Sequence, residues 1–237
     1  MEYNFRFTSK LLIFNTQLFI MKTALIIGAT GLVGGLVLEQ LLNNNDYDSV
    51  VALTRKSLQN QHPKLKEVIV DFDKLEDYSE NFKADVVFCC LGSTIKKAGS
   101  QAAFKKIDYE YPLKVAEIAK QNGTKKCLII SALGASKSSI IFYNRVKGEV
   151  EEALSQLHFD ALHILQPSLI IGERNEKRFA EGLAQKLSPI YGTVMFGPFT
   201  KYKSIRAEQI AKAMVYFSKT DATGVQRHDN RELLKVK

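Results

Sequence analysis

From residue 22 to residue 165 the chain alternates short apolar runs with stretches in which apolar residues recur at helical spacing. The runs at 24–27, 49–53, 66–70, 85–91, 126–130 and 161–165 read as strands, and their near-continuous hydrophobicity suits strands covered on both faces of a parallel sheet. Between them, Leu32, Leu36, Val37, Leu41 and Leu42 share one helical face, with Asn43-Asn44-Asn45-Asp46 ending the helix. A second helix is predicted over 111–120, with Pro112 in its first turn and Gly123 as its stop. A third carries Tyr143, Lys147, Glu149, Val150, Ala153 and Leu154, whereas residues 95–106 read as basic and irregular. This alternation predicts an α/β fold, a doubly wound parallel sheet with helices on both faces and right-handed crossovers.

Beyond residue 175 the pattern loosens into a helix near 178–187, a Pro- and Gly-bearing loop over 188–198 and a helix over 207–217. Residues from about 173 to 237 are therefore expected to form a small substrate lid on a single domain of residues 21–237. At the other end, residues 1–20 are expected to be a peripheral extension. Their apolar part is short and interrupted by Asn15, Thr16 and Gln17, an acid stands near the start, and no small-residue cleavage site precedes Met21.

The first strand breaks into Gly28-Ala29-Thr30-Gly31-Leu32-Val33-Gly34-Gly35. Gly28 lets the chain turn, Gly31 lets a pyrophosphate approach the backbone, and Gly34 lets the helix pack closely on the strand. Thr30 is expected to help cap a helix whose unpaired N–H groups and positive dipole end face the phosphates. The spacing G-x-x-G-x-x-G is a variant of the commonest dinucleotide fingerprint. After the second strand, Thr54-Arg55-Lys56 puts bases where an NAD-specific protein places an acid, which favours the 2′-phosphate of NADP. After the third strand, Asp71 and Phe72 are placed to border an adenine. Gly92, at the end of the fourth strand, lies where ligands bind in open α/β sheets.

Composition narrows this further. Hydrophobic residues are 46% and charged residues 24%, as in a globular protein, and no membrane span is expected. Cys89, Cys90 and Cys127 lie in apolar runs and read as reduced core residues of a cytoplasmic protein. The net charge of +8 allows nucleic acid, an acidic membrane surface or a phosphorylated cofactor as partner. Lysine pairs at 96–97, 105–106 and 125–126 are scattered and read as solvated faces, so no nucleic-acid partner is expected.

Tyr143 and Lys147 stand four apart on one helix face, and Ser131 follows the fifth strand. A free tyrosine titrates near 10, so it exchanges protons poorly at neutral pH unless a cation such as Lys147 stabilises its phenolate. Lys147 is also placed to hold a nicotinamide ribose, and Ser131 to hydrogen-bond the substrate oxygen. Ser131, Tyr143 and Lys147 are thus the candidate catalytic residues for hydride transfer to or from a small carbonyl or alcohol substrate.

The glycine turn, Ser131 and Tyr143-x-x-x-Lys147 resemble the short-chain dehydrogenase/reductase superfamily. Residues 90–99, 131–139 and 143–150 more narrowly resemble its atypical HIV Tat-interacting oxidoreductase family. That resemblance implies a Rossmann-like fold, NADPH as cofactor, and catalytic roles for Ser131, Tyr143 and Lys147. The expected cofactor contacts are Gly28, Thr30, Gly31, Leu32 and Val33 in the turn, then Arg55, Lys56, Asp71 and Phe72. Leu91, Gly92, Ser93, Thr94, Tyr143, Lys147, Pro167, Ser168 and Leu169 complete them, with no metal. Asp108 stands where many superfamily members carry an asparagine, and Gln166 precedes Pro167 where arginine is common. An NADPH-binding regulatory protein with little turnover remains the alternative, and the oligomeric state, monomer or homodimer, stays open.

Overall fold

Successive residues of the central strands point into two different cores. Ala24, Ile26, Val50, Ala52, Phe88 and Leu128 meet on one face of the sheet, while Leu25, Ile27, Val51, Leu53, Val87 and Ile129 meet on the other. Side chains alternate across a strand, so a run that is apolar at every position is one buried on both sides.

The computed structural model describes residues 22–172 and 197–237. Its strands are β1 (Lys22–Ile27), β2 (Tyr47–Thr54), β3 (Leu65–Ile69), β4 (Val86–Cys89), β5 (Lys126–Ile130), β6 (Ala161–Gln166), β7 (Ile170–Ile171), β8 (Ile205–Arg206) and β9 (Gly224–Asp229). Seven of them form one parallel sheet in the order β3-β2-β1-β4-β5-β6-β9, and β7 pairs with β8. The helices are α1 (Leu32–Leu42), α2 (Ile95–Ala98), α3 (Gln101–Lys105), α4 (Tyr111–Gln121), α5 (Phe142–Ser155), α6 (Ala207–Ser218) and α7 (Asn230–Lys235). Helices α1 and α6 cover the first face through Val37, Leu41, Ile210 and Met214, and α4 and α5 cover the second through Val115, Ala119, Val150 and Leu154. Each such fully buried valine, leucine, isoleucine or methionine side chain contributes about 1.5–3 kcal/mol of apolar transfer. Chain order reverses between β1 and β4, so the crevice outside their carboxyl ends is where this fold holds ligands.

Two expectations need correction. Residues 95–106 are helical, not irregular: Thr94 accepts from the Lys97 N–H to start α2, Gly99 ends it in the left-handed conformation, and Ser100 accepts from the Ala103 N–H to start α3. From Gln101 the helix runs on through a wide π turn (Lys106–Glu110) into α4. Residues 205–237 do not form a lid. Ile205, Ala207, Ile210, Ala211 and Met214 belong to the first core, and β9 is the seventh strand of the main sheet. The expected extension over 1–20, the helix near 178–187 and the loop up to residue 196 lie outside the described residues.

Candidate active site

The glycine turn closes on itself and on the neighbouring strand. Gly28 has φ +82°, and a Cβ there would lie 2.6 Å from the Cys90 carbonyl carbon and oxygen, so β1 ends hard against β4. A Cβ at Gly34 would lie 2.1 Å from the Gly28 oxygen, which also accepts the Gly31 N–H at 2.9 Å. The N-cap of α1 is Gly31 itself, a residue with no side chain to cap the helix, so the cap position falls one residue after Thr30. Thr30 and Gly31 are exposed, Leu32 is half-buried, and Val33 is buried. First-turn N–H groups behind a turn of glycines make a cradle that fits a pyrophosphate.

Beyond β2, Arg55 and Lys56 are exposed and make no ion pair among the described residues. Glu67 of β3 comes near them, yet its carboxylate is occupied. It accepts from the Leu58 N–H (2.6 Å), the Ser57 hydroxyl (3.1 Å) and the Thr54 hydroxyl (3.2 Å). Of the pair expected to border an adenine, Asp71 is exposed and accepts from the Asp73 N–H, whereas Phe72 is buried with its ring 5.2 Å from that of Tyr111.

The π turn delivers Asp108 to the carboxyl end of β4, wholly buried. Its Oδ2 accepts the Ser93 N–H at 2.9 Å, and its Oδ1 lies 2.7 Å from Lys147 Nζ. Lys147 also donates to the Ile130 carbonyl at 3.4 Å. Burial works most strongly against its charge, but the Asp108 carboxylate, with Tyr143 and Cys89 adding to it, holds the ammonium above its ordinary pKa. Gly92 lies over this pair: a Cβ there would be 3.8 Å from Asp108 Oδ1 and 4.0 Å from Lys147 Nζ. Leu91 and Ser93 flank it half-buried, and Thr94 is exposed. Tyr143 is half-buried one turn before Lys147, its ring 5.3 Å from that of Phe104, and its hydroxyl feels the ammonium electrostatically.

Ser131 is not free to face the tyrosine. Its hydroxyl donates to Glu151 Oε1, and the same carboxylate accepts two hydrogen bonds from the Gln166 amide and pairs with Arg227 of β9 at 3.6 Å. Sequence reasoning missed Glu151. Its signal was an acid four residues after Lys147, on the buried side of an amphipathic helix. The loop leaving β5 lies directly on α5, because Gly148 has no side chain. A Cβ there would be 2.2 Å from the Ser136 carbonyl carbon. Past β6, Pro167 is buried and Leu169 partly exposed; Asn230 binds the Ser168 N–H through Oδ1 and the Lys203 carbonyl through Nδ2.

Among the described residues no helix is long and apolar enough to cross a membrane, and no cluster could hold a metal ion.

The family model described as NAD(P)H-binding matches residues 28–170. Protein HTATIP2 of Rattus norvegicus is 39% identical over 163 residues, covering 67% of this chain and 67% of that protein. The mitochondrial protein FMP52 of Candida albicans is 34% identical, covering 83% of this chain and 88% of its own. FMP52 of Eremothecium gossypii, also named mitochondrial, is 30% identical over 88% of this chain and 94% of its own. These names overturn the expectation of a cytoplasmic protein, which rested on three reduced cysteines that are equally at home in another reducing compartment. Among solved structures, MoeE5 in complex with UDP-glucuronic acid and NAD superposes with a TM-score of 0.67 at 16% identity, covering 86% of this chain and 75% of that one. The oxidoreductase ylbE of Lactococcus lactis superposes with a TM-score of 0.65 at 19% identity, covering 90% and 96%. At these identities the likeness is one of fold.

Proposed function

Because this chain belongs to the NAD(P)H-binding family and is a homologue of HTATIP2 and FMP52, we propose that it is an NADPH-dependent oxidoreductase acting on a small carbonyl or alcohol. The observation that carries this reading is Lys147, a buried ammonium one helical turn after Tyr143, at the carboxyl ends of β4 and β5 and beneath Gly92. In this reading the α1 N–H groups hold the pyrophosphate and Arg55 with Lys56 takes the 2′-phosphate. Asp71, Leu91, Gly92, Ser93, Thr94 and residues 167–169 line the rest of the cofactor. NADPH supplies the hydride when bound. Tyr143 exchanges the proton with the substrate oxygen, and Lys147 orients the ribose beside it. Following its FMP52 relatives, the protein works in mitochondria.

One observation favours a second reading, an NADPH-binding regulatory protein. Ser131 reaches a reacting oxygen only after its hydroxyl leaves Glu151. A screen of carbonyl compounds for NADPH oxidation, with Tyr143→Phe as blank, separates the two. Turnover absent from the blank supports the enzyme, and tight NADPH binding without turnover of any compound supports the regulator.

A further inference from the structure

The charge of Lys147 is already spent. Asp108 Oδ1 lies 2.7 Å from its ammonium with the two side chains 0% and 4% exposed, and the Ser93 N–H fixes the other carboxylate oxygen. Seen from the tyrosine one turn away, two opposite unit charges this close act as a dipole, whose field falls off faster than that of a lone cation. Among the described residues the groups whose charges reach Lys147 are Asp108 from the π turn, Tyr143 on α5 and Cys89 on β4. The Cys89 thiol is pushed up to about 12 by burial and is neutral. On the outer side of α5, Glu149 is itself paired with Lys105 at 3.2 Å. Among the described residues the ammonium whose charge reaches Tyr143 is thus one that Asp108 offsets at 2.7 Å.

We propose that Asp108 is a positioning residue that offsets the charge of Lys147 at Tyr143, whose hydroxyl serves as the proton donor of a carbonyl-reducing site. This rests on the reading of Tyr143 as the acid/base group. In the reduction the carbonyl carbon gains the hydride that NADPH supplies, and the C=O π pair becomes an O–H bond to the proton of Tyr143 Oη. The phenolate left behind is reprotonated from solvent. An asparagine at position 108 would leave the ammonium uncompensated and favour the phenolate, the form suited to taking a proton from an alcohol.

The test is the titration of Tyr143 in the full chain, followed by the NMR shift of a ¹³C-labelled tyrosine ring, with Tyr143→Phe identifying its signal. In Asp108→Asn the midpoint should fall by about one unit or more, the size of effect an unscreened neighbouring charge exerts. In the double variant Asp108→Asn with Lys147→Met, which removes both charges, the midpoint should stay where the parent has it. That variant leaves no unpaired buried charge and decides the matter even where Asp108→Asn alone fails to fold. A midpoint unmoved by Asp108→Asn, or raised in the double variant, overturns the proposal. Turnover unchanged in Tyr143→Phe instead overturns the acid/base reading, with the midpoints still reporting on Asp108.

Discussion

Gly34 lies so close beneath the carbonyl of Gly28 that a methyl group at position 34 would sit 2.1 Å from that oxygen and 2.7 Å from its carbon. Both atoms are backbone and cannot swing aside. Gly34→Ala should therefore open the turn, destabilising the protein by about 1–3 kcal/mol or more and abolishing NADPH binding. Gly35 is the internal control, since a Cβ there would meet only the Ala29 oxygen at 3.4 Å. Gly35→Ala should be neutral or stabilising by up to about 1 kcal/mol, the helix preference of alanine over glycine. Melting curves and calorimetric titration of both variants check this, and similar losses in the two would refute it.

Cofactor choice follows from Arg55 and Lys56 standing exposed while Glu67 is tied to the loop that carries them. A charge-assisted contact to the 2′-phosphate contributes about 1.5–3 kcal/mol, and about 1.4 kcal/mol is tenfold in affinity. NADPH should bind more than tenfold tighter than NADH, and Arg55→Ala should erase most of that preference while leaving NADH affinity unchanged. Titration of both cofactors against both proteins measures it. A parent that binds the two equally would sink the assignment.

Tyr143→Phe keeps the ring against Phe104 and removes only the hydroxyl. Fold and NADPH affinity should survive, while turnover falls by about 10²–10⁴-fold, the usual contribution of a general acid. Steady-state rates on any substrate found by the screen provide the comparison, and near-native turnover would make the tyrosine structural.

Stability should weaken in mild acid, because of His163. It is fully buried, with Nδ1 3.0 Å from His228 Nε2, and burial, with His228 and Lys126 adding to it, pushes its pKa down to about 4. In the unfolded chain the same group titrates near about 6.5. As pH falls the unfolded state takes the proton first, so the stability held by neutral His163 is complete above about 6.5 and is lost on the way down to about 4. The loss should approach about 1.4 kcal/mol per pH unit within that window. Urea midpoints measured across it should slope for the parent and flatten in His163→Gln; parallel slopes would exclude His163 as the cause.

What the sequence revealed and what it concealed both follow from burial. Strands β1, β4, β5 and β6 are covered on two faces, so their hydrophobicity announces them, as does the paired-face pattern of α1 and α5. Strand β9 is Gly-Val-Gln-Arg-His-Asp, an edge strand paired only with β6, with exposed Val225 and Arg227. Its inward residue is His228, stacked 3.7 Å from Phe217, where a pattern reader looks for an aliphatic side chain. The π turn is likewise silent in the sequence, since Lys106-Ile107-Asp108-Tyr109-Glu110 has no helical stripe. Ser131, Tyr143 and Lys147 were found by type and spacing. Asp108 was noticed only as a departure from the superfamily's asparagine, and neither its pairing with Lys147 nor Glu151 could be read, because a buried acid's role is recognisable only once its counter-charge is known.

The pairing of α1 with α6 across one face of the sheet has a consequence for the chain as it is made. Val37 and Leu41 leave the ribosome long before Ile210, Met214 and Phe217, which cover the same core. Until then the growing polypeptide carries an open apolar surface on its first helix, the situation in which nascent chains are held by chaperones. Strand β9 arrives later still and pairs with β6 rather than with anything near it in the sequence. The sheet is therefore complete only once Gly224–Asp229 have been made, long after the strand order of its centre is set.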